Sequence, residues 1–179
     1  NQDVHGTSVT QFLTHQFNTP ISDTWRVGFR YGWQWGGDVV EGYGNYTFIV
    51  NLDMLDSKRN RYRVAVHQGI LLDGAPDRLV EIQRIRGGGP VALLAQGKGY
   101  NHAGWKGLAA PEPALYPIRL ERGQGGVLTA YRDTKSGWEA VATATDKTYS
   151  VFSQIRLGAS GWNTSEIPQL DDVQVTVAP

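Results

Sequence analysis

The sequence predicts an all-β protein, a two-sheet antiparallel β-sandwich or jelly roll, on three observations. Apolar and polar residues alternate with a period of two over long stretches. The composition, with 22 glycines, 6 tryptophans and 8 tyrosines, is typical of aromatic strands punctuated by glycine-rich turns. Clusters of turn-forming residues recur at intervals of roughly ten residues. A chain of 179 residues has the length of one domain, so we expect a single jelly-roll domain over 1–179.

The alternation is clearest in the segment TWRVGFRYGWQWG, residues 24–36. Its odd positions, from Trp25 to Trp35, are apolar, whereas its even positions are arginine, glycine and glutamine. A helix does not produce such a pattern, but a strand with one buried face does. The sequence therefore predicts that the odd face enters the core, at least as far as Tyr31.

The same period predicts the remaining strands. An early strand contains HQFNTP, and the others are expected at 45–54, 61–68, 78–85, 91–96, 116–122, 127–132, 138–143, 151–157 and 172–177. Turn sequences such as DSKRN, RGGGP and RGQGG separate them. The longest stretch without a predicted strand is 97–113, and a loop of that length is usually functional.

Charge and composition exclude several classes of function. The chain has 17 basic and 17 acidic residues, so it lacks the basic excess expected of a nucleic-acid-binding protein. It contains no cysteine, which excludes a disulfide scaffold, a thiol nucleophile and a cysteine-ligated zinc site. No apolar run approaches the length of a membrane span, about 20 residues.

The order of these segments resembles that of the concanavalin A-like lectin/glucanase superfamily, the LamG-like jelly rolls. The resemblance rests on TWRVGFRYGW, YTFIVNLDML and RYRVAVHQG in the first half, and on YPIRLERGQGGVLTAYRD, VFSQIRLGASG and LDDVQVTV in the second. It covers most of the chain and implies a concanavalin A-like jelly roll. This fold hosts lectins, binding modules, hydrolases and lyases, so the resemblance implies the fold more than the function.

Two catalytic branches of that superfamily have motifs that can be compared with this chain. Retaining glucanases carry E-[ILV]-D-x-x-E on one strand, and the nearest segment here, EIQRIR at 81–86, lacks the aspartate and the second glutamate. The alginate-lyase branch has a Q-[IV]-H strand, whereas this chain reads Val66-His67-Gln68. A lyase also needs a group that neutralises the substrate's acid, together with a base and an acid. The candidates for these roles are His67, Arg61, Arg63 and Gln68.

Two groups of residues are candidates for glycan binding. The first is a cationic groove on the concave sheet, formed if two arginine-bearing strands are neighbours: Arg26, Arg30, Arg61, Arg63 and His67. Gln154 and Arg156 could join it from the strand expected at 151–157, although they also fit the alternate positions of an ordinary outer strand. Arginine matches carboxylate and sulfate groups bidentately, so such a groove would suit a uronic or sulfated glycan. The alternative is a solvated outer face whose arginines pair with Asp53, Glu81 or Glu121.

The second group consists of rings in glycine-rich segments: Trp35, Tyr43, His102 and Trp105. Sugars have apolar faces that stack on aromatic rings, and binding sites in this superfamily are usually built from such rings and loops. The alternative is that the rings close the ends of the sandwich.

Acidic residues before the last strand suggest a metal site. Asp171 and Asp172 resemble the acidic position at which related jelly rolls hold a structural Ca²⁺, bound by oxygen ligands from loops and strand ends. The alternative is that both residues only cap the entry to the strand.

From these observations we expect a secreted or cell-surface carbohydrate-binding module that recognises a polysaccharide and belongs to a larger carbohydrate-active enzyme or surface protein. Its location would be extracellular or periplasmic. One alternative is a small polysaccharide lyase or glycoside hydrolase that uses the arginine and histidine face. Another is a structural or adhesion domain that binds protein, which a large exposed apolar patch would support.

Overall fold

A computed structural model describes residues 9–22, 24–35, 46–70, 79–99, 116–134, 136–161 and 166–177, with only the backbone at several strand ends. These residues form eleven strands and one short 3-10 turn, Gln124–Gly126. The strands are β1 Val9–Ser22, β2 Trp25–Trp35, β3 Tyr46–Leu55, β4 Arg61–Ile70, β5 Leu79–Ile85, β6 Val91–Lys98, β7 Tyr116–Arg122, β8 Val127–Thr134, β9 Gly137–Thr145, β10 Val151–Gly161 and β11 Glu166–Val177.

The strands form two antiparallel sheets. The six-stranded sheet has the order β1-β10-β3-β4-β5-β6, and the five-stranded sheet has the order β11-β2-β7-β8-β9. The prediction of an all-β, two-sheet antiparallel sandwich is therefore confirmed. Nowhere in the described part of the chain is there a helix with the length and apolar character needed to cross a membrane.

The core lies between the sheets and is built from the alternating apolar residues. Seven residues that the period assigns to the core are all buried: Trp25, Val27, Phe29, Val64, Val66, Ile118 and Leu120. The edge of the Trp25 ring meets Phe152 with their centroids 5.4 Å apart, which ties the five-stranded sheet to β10. Burial of this apolar surface is the main driving force for the fold.

The two ends of the sandwich differ in their connections. At one end, short connections join β3 to β4, β5 to β6 and β7 to β8, and their sequences are the predicted turns DSKRN, RGGGP and RGQGG. Because neighbouring strands are antiparallel, β2, β4, β6 and β10 all end at the opposite end, which we call the long-connection end. The predicted ligand residues Tyr43, His102 and Trp105 lie outside the described residues.

A buried hydrogen-bond network lies at the end of the sandwich with the short turns, opposite the long-connection end. The Tyr62 hydroxyl donates to Oδ1 of Asp146 at 2.6 Å, and Arg84 forms an ion pair with the same carboxylate. Burial and the hydrogen bond to Asp146 raise the pKa of Tyr62 to about 12. Burial alone would raise the pKa of Asp146, but hydrogen bonds from Thr148 and Tyr62 outweigh it and lower that pKa. The network joins β4 and β5 to the β9–β10 connection.

The last strand is longer than predicted. β11 begins at Glu166, whereas the sequence predicted its start at 172. The register shifts between Asp171 and Gln174, where the strand bulges. A bulge inserts an extra residue, so the period of two breaks and the first half of the strand is hidden from the pattern.

Candidate functional site

A single carboxylate organises the outer face of the six-stranded sheet. Asp53 of β3 points away from the core, yet its side chain is only 1% exposed because arginines surround it. Arg63 approaches it with Nε 2.6 Å from Oδ1, and Arg156 with Nη2 2.6 Å from Oδ2. Arg61 adds a third contact, with Nε 3.3 Å from Oδ2. Register explains this convergence, because Arg156, Asp53 and Arg63 lie side by side on β10, β3 and β4.

The arginine cluster, which consists of Arg61, Arg63 and Arg156, has more positive charge than Asp53 can balance. Three guanidinium groups against one carboxylate leave two positive charges without a partner inside this group. The pKa of Arg61 is lowered overall. Burial is the largest cause and the repulsion of Arg63 and Arg156 adds to it, whereas the attraction of Asp53 offsets only part of the shift. The cluster is therefore a favourable place for an additional anion.

A second polar group lies beside the cluster, towards the long-connection end. His67 Nε2 is 3.0 Å from Glu81 Oε2, and the Gln83 amide donates to the same oxygen at 2.6 Å. Glu81 thus orients both the imidazole and the amide. This group faces the same side as the arginine cluster, because Arg63 pairs with Gln83 across β4 and β5.

Between the cluster and His67 lies a cross-strand row of residues, with small side chains at its three central positions, which we call the outer trough. Its positions are Phe12, Gly158, Asn51, Ala65 and Glu81, each the register partner of the next. Strands lie about 4.8 Å apart, so the row spans about 19 Å across five strands. Phe12, a residue that is 48% exposed, lies at one end of the row, and the guanidinium carbon of Arg156 lies 4.5 Å from the centroid of its ring.

Two side-chain acceptors on this face, one in the outer trough and one beside Arg63, are buried without a donor. Asn51 Oδ1 and Gln83 Oε1 accept no hydrogen bond from any residue that the structure describes. A buried acceptor without a partner costs about 1–3 kcal/mol.

The predicted single groove of four arginines is wrong. Arg61 and Arg63 lie on β4 in the six-stranded sheet, whereas Arg26 and Arg30 lie on β2 in the five-stranded sheet. β2 pairs with β7 and β11, not with β4, so the two pairs lie on opposite outer faces of the sandwich.

The alternative that the arginines pair with internal acids is confirmed for the described residues. Arg63 pairs with Asp53 and Arg26 with Glu121, and His67 contacts Glu81. These pairs do not balance all of the positive charge, because three arginines share the single negative charge of Asp53.

The two acids proposed for calcium lie at the bulge of β11. Asp172 adopts a positive φ of 52° and pairs with Arg30, with Oδ2 3.2 Å from Nε. Asp171 Oδ1 accepts the backbone N–H of Asp172 at 2.8 Å. Within the described part of the chain, no three acidic or histidine side chains come together as a metal site. The calcium site stays a prediction.

Several predicted residues are described only partly or not at all. Trp35 ends β2 and Gln68 lies in β4, each with only its backbone described, and the side chains of Tyr43, His102 and Trp105 lie outside the described residues. Their role in ligand binding stays a prediction.

Sequence reasoning missed three residues of the face as site candidates: Phe12, Asn51 and Gln83. It offered Arg156 only as an addition to the polar face, and Glu81 only as an acid that could pair with the arginines. Alternation along one strand assigns a residue to a face, but only the cross-strand register shows which residues meet. Asn51 and Asp53 do carry a local signal, since both are polar residues at outward positions of an otherwise apolar strand.

Comparison with known proteins defines the fold. No protein-family model matches the chain, and no curated protein matches it either. The structure is similar to the carbohydrate recognition domain of Emp47p, with a TM-score of 0.59, 12% identity and coverage of 98% of this chain and 81% of that one. It is also similar to a Bacillus subtilis protein of unknown function with a galectin-like fold, with a TM-score of 0.53, 11% identity and coverage of 98% and 84%. At this identity the likeness establishes a galectin-like β-sandwich.

Proposed function

We propose that this chain is a carbohydrate-binding module whose outer trough holds a polysaccharide with acidic substituents. The observation that carries the proposal is the arginine cluster, in which three guanidinium groups share one buried carboxylate. The similarity to a carbohydrate recognition domain supports the same class of ligand at the level of the fold. A secreted or cell-surface location is part of the proposal.

The outer trough and the arginine cluster beside it fit the parts of such a glycan. A carboxylate or sulfate would approach the arginine cluster and form charge-assisted, bidentate hydrogen bonds. Sugar hydroxyls would form hydrogen bonds with His67 and Glu81, whose side chains are 23% and 15% exposed. The exposed ring of Phe12 offers an apolar surface for stacking at one end.

The test compares acidic and neutral glycans on matched variants. The panel contains uronic-acid and sulfated oligosaccharides together with neutral oligosaccharides of the same length. Arg156→Gln should weaken binding of the acidic members by about tenfold or more, because it removes a charged hydrogen bond. Arg86→Gln, an equal change of charge in an exposed turn, is the control and should leave affinity unchanged. Equal binding of acidic and neutral members would contradict the proposal.

One observation favours a lyase as a second candidate. His67 is held by Glu81 beside an arginine cluster able to neutralise a uronic carboxylate, so the face supplies a neutralising group and one proton-transfer group of the three groups that a β-elimination requires. No tyrosine among the described residues lies on this face. In a lyase, His67 would therefore have to share proton transfer with a group other than the described tyrosines. Formation of ultraviolet-absorbing unsaturated products from uronic polysaccharides, lost in His67→Ala, would establish the lyase. Binding without product would leave the module non-catalytic.

A further inference from the structure

The outer face of the five-stranded sheet contains a cavity of its own. Its volume is about 370 Å³, within the usual range for small-ligand sites. Gly28 lies in its floor, between Gln174 of β11 and Arg119 of β7 in the register. Arg26 and Arg30 precede and follow Gly28 on the same face of β2, and they form two of the walls. The missing side chain of one residue therefore creates the space.

An exposed tryptophan forms another wall of the cavity. Trp138 of β9 is 42% exposed, although large aromatic rings are usually buried. Arg119 fixes its position, with the guanidinium carbon 4.3 Å from the Trp138 ring and 4.6 Å from the Tyr131 ring. The exposed ring is thus held in place before any ligand arrives, which reduces the entropy lost on binding.

The charges at this cavity balance, in contrast to the arginine cluster of the other sheet. Arg26 and Arg119 both pair with Glu121, and Arg30 pairs with Asp172. Asp133 also lines the cavity, so the three arginines are balanced by Asp133, Asp172 and the paired carboxylate of Glu121. A charged ligand would disturb these pairs. A hydroxyl group both donates and accepts, so neighbouring hydroxyls can donate to a carboxylate and accept from the arginine beside it.

We infer that this cavity is a second carbohydrate site, specific for a neutral sugar residue. The apolar face of the sugar ring packs on Trp138, and its hydroxyls bridge the paired arginines and carboxylates. The site is independent of the proposed acidic site, because it lies on the opposite sheet and shares no residue with the outer trough. The chain then has two glycan sites of different charge preference.

The test places a larger side chain at Gly28, in the floor of the cavity, so that the side chain occupies the space for the sugar. A Cβ added at Gly28 meets only the carbonyl oxygen of Ile118 at 3.5 Å, an ordinary contact, so the backbone accepts a side chain. Gly28→Leu should therefore fold and occupy the cavity, whereas Gly28→Ala leaves most of the space. The probes are neutral tetrasaccharides of glucose, galactose, mannose and xylose, titrated by calorimetry against the whole chain.

We expect at least one neutral tetrasaccharide to bind. Gly28→Leu should weaken it by about tenfold or more, and Gly28→Ala should weaken it less. Trp138→Ala changes an exposed side chain and should weaken it similarly, which keeps the test decisive if Gly28→Leu fails to fold. Absence of neutral binding, or neutral binding that Gly28→Leu and Trp138→Ala leave intact, overturns the inference.

The variants also separate this site from the outer trough. Arg63→Gln should leave neutral binding intact and weaken only the acidic oligosaccharides. Neutral binding that is lost in Arg63→Gln but kept in Gly28→Leu would assign it to the outer trough and overturn the second site. Failure of acidic binding alone would overturn the proposed function and leave the second site standing.

Discussion

Asp53 and its three arginines have unequal roles in stability. Each arginine contacts a carboxylate that two others also contact, so the loss of one leaves Asp53 paired. The loss of Asp53 instead leaves three neighbouring cations without a common partner. A shared carboxylate thus allows single arginines to serve a ligand without being essential for folding.

Asp53→Asn should accordingly destabilise the protein more than any single arginine substitution. Breaking a buried pair from one side costs about 3–5 kcal/mol. Arg156→Gln should cost about 1 kcal/mol or less, because its side chain is partly exposed and Asp53 keeps two partners. Urea denaturation of both variants measures the free energies of unfolding. Equal losses in the two variants would show that Asp53 does not organise the cluster.

Tyr62 gives the protein a specific sensitivity to alkaline pH. Its pKa rises from 10.0 to about 12 on folding, so its contribution to stability is fully present below pH 10 and is lost as the pH rises towards 12. The loss should be on the order of 2 kcal/mol. Tyr62→Phe removes this group, and the difference between the two proteins should therefore shrink over that pH window. Parallel pH profiles of the two unfolding free energies would contradict the assignment.

At the scale of single elements, the bulge of β11 determines which groups the two acids proposed for calcium can contact. It places Asp172 against Arg30, and the ion pair competes with a cation for the carboxylate. If Asp171 and Asp172 ligate Ca²⁺, chelation should lower the melting temperature and calcium, but not magnesium, should restore it by mass action. Asp171→Asn should abolish that response. A melting curve that excess chelator does not change would leave both acids with structural roles only.

Strands were predictable from the sequence where one face is buried and the period is unbroken. The predicted bounds of β7 equal the observed Tyr116–Arg122, and the core face of β2 is as expected from Trp25 to Tyr31. The period fails at the bulge after Asp171, where the first half of β11 was missed.

Sheet membership and cross-strand partners are set by contacts distant in sequence. The site was therefore less predictable than the fold. Arg61 and Arg63 were assigned to an outward face, but Arg156, which contacts the same carboxylate, lies about ninety residues away in the chain. The same limitation placed Arg26 and Arg30 in the wrong sheet.

At the scale of the whole molecule, the two sheets approach each other closely at one side. A Cβ at Gly97 of β6 would lie 1.7 Å from the carbonyl oxygen of Val141 of β9, so only glycine fits there. Gly97→Ala should force the two sheets apart and cost about 1–3 kcal/mol or more. Gly88→Ala, in a turn where a Cβ meets nothing within 4 Å, is the matched control and should change stability little. Equal melting temperatures for the two variants would mean that the sheets do not meet at this glycine.

The two outer faces of the sandwich have different electrostatic character although the chain carries no net charge. The six-stranded sheet presents an arginine excess around Asp53, and the five-stranded sheet presents balanced pairs around Gly28. Long-range attraction of a polyanion is therefore weak, and affinity for an acidic glycan must come from local contacts in the arginine cluster.

The most direct test of that claim is one titration repeated on Arg63→Gln, with its melting temperature measured alongside. The ligand is the acidic oligosaccharide that binds the unmodified chain most tightly in the panel. We predict that its affinity falls by about tenfold or more, that added salt weakens binding, and that the melting temperature changes little because Arg61 and Arg156 still neutralise Asp53. An unchanged affinity accompanied by a lower melting temperature would contradict the account, because Arg63 would then serve only to hold Asp53.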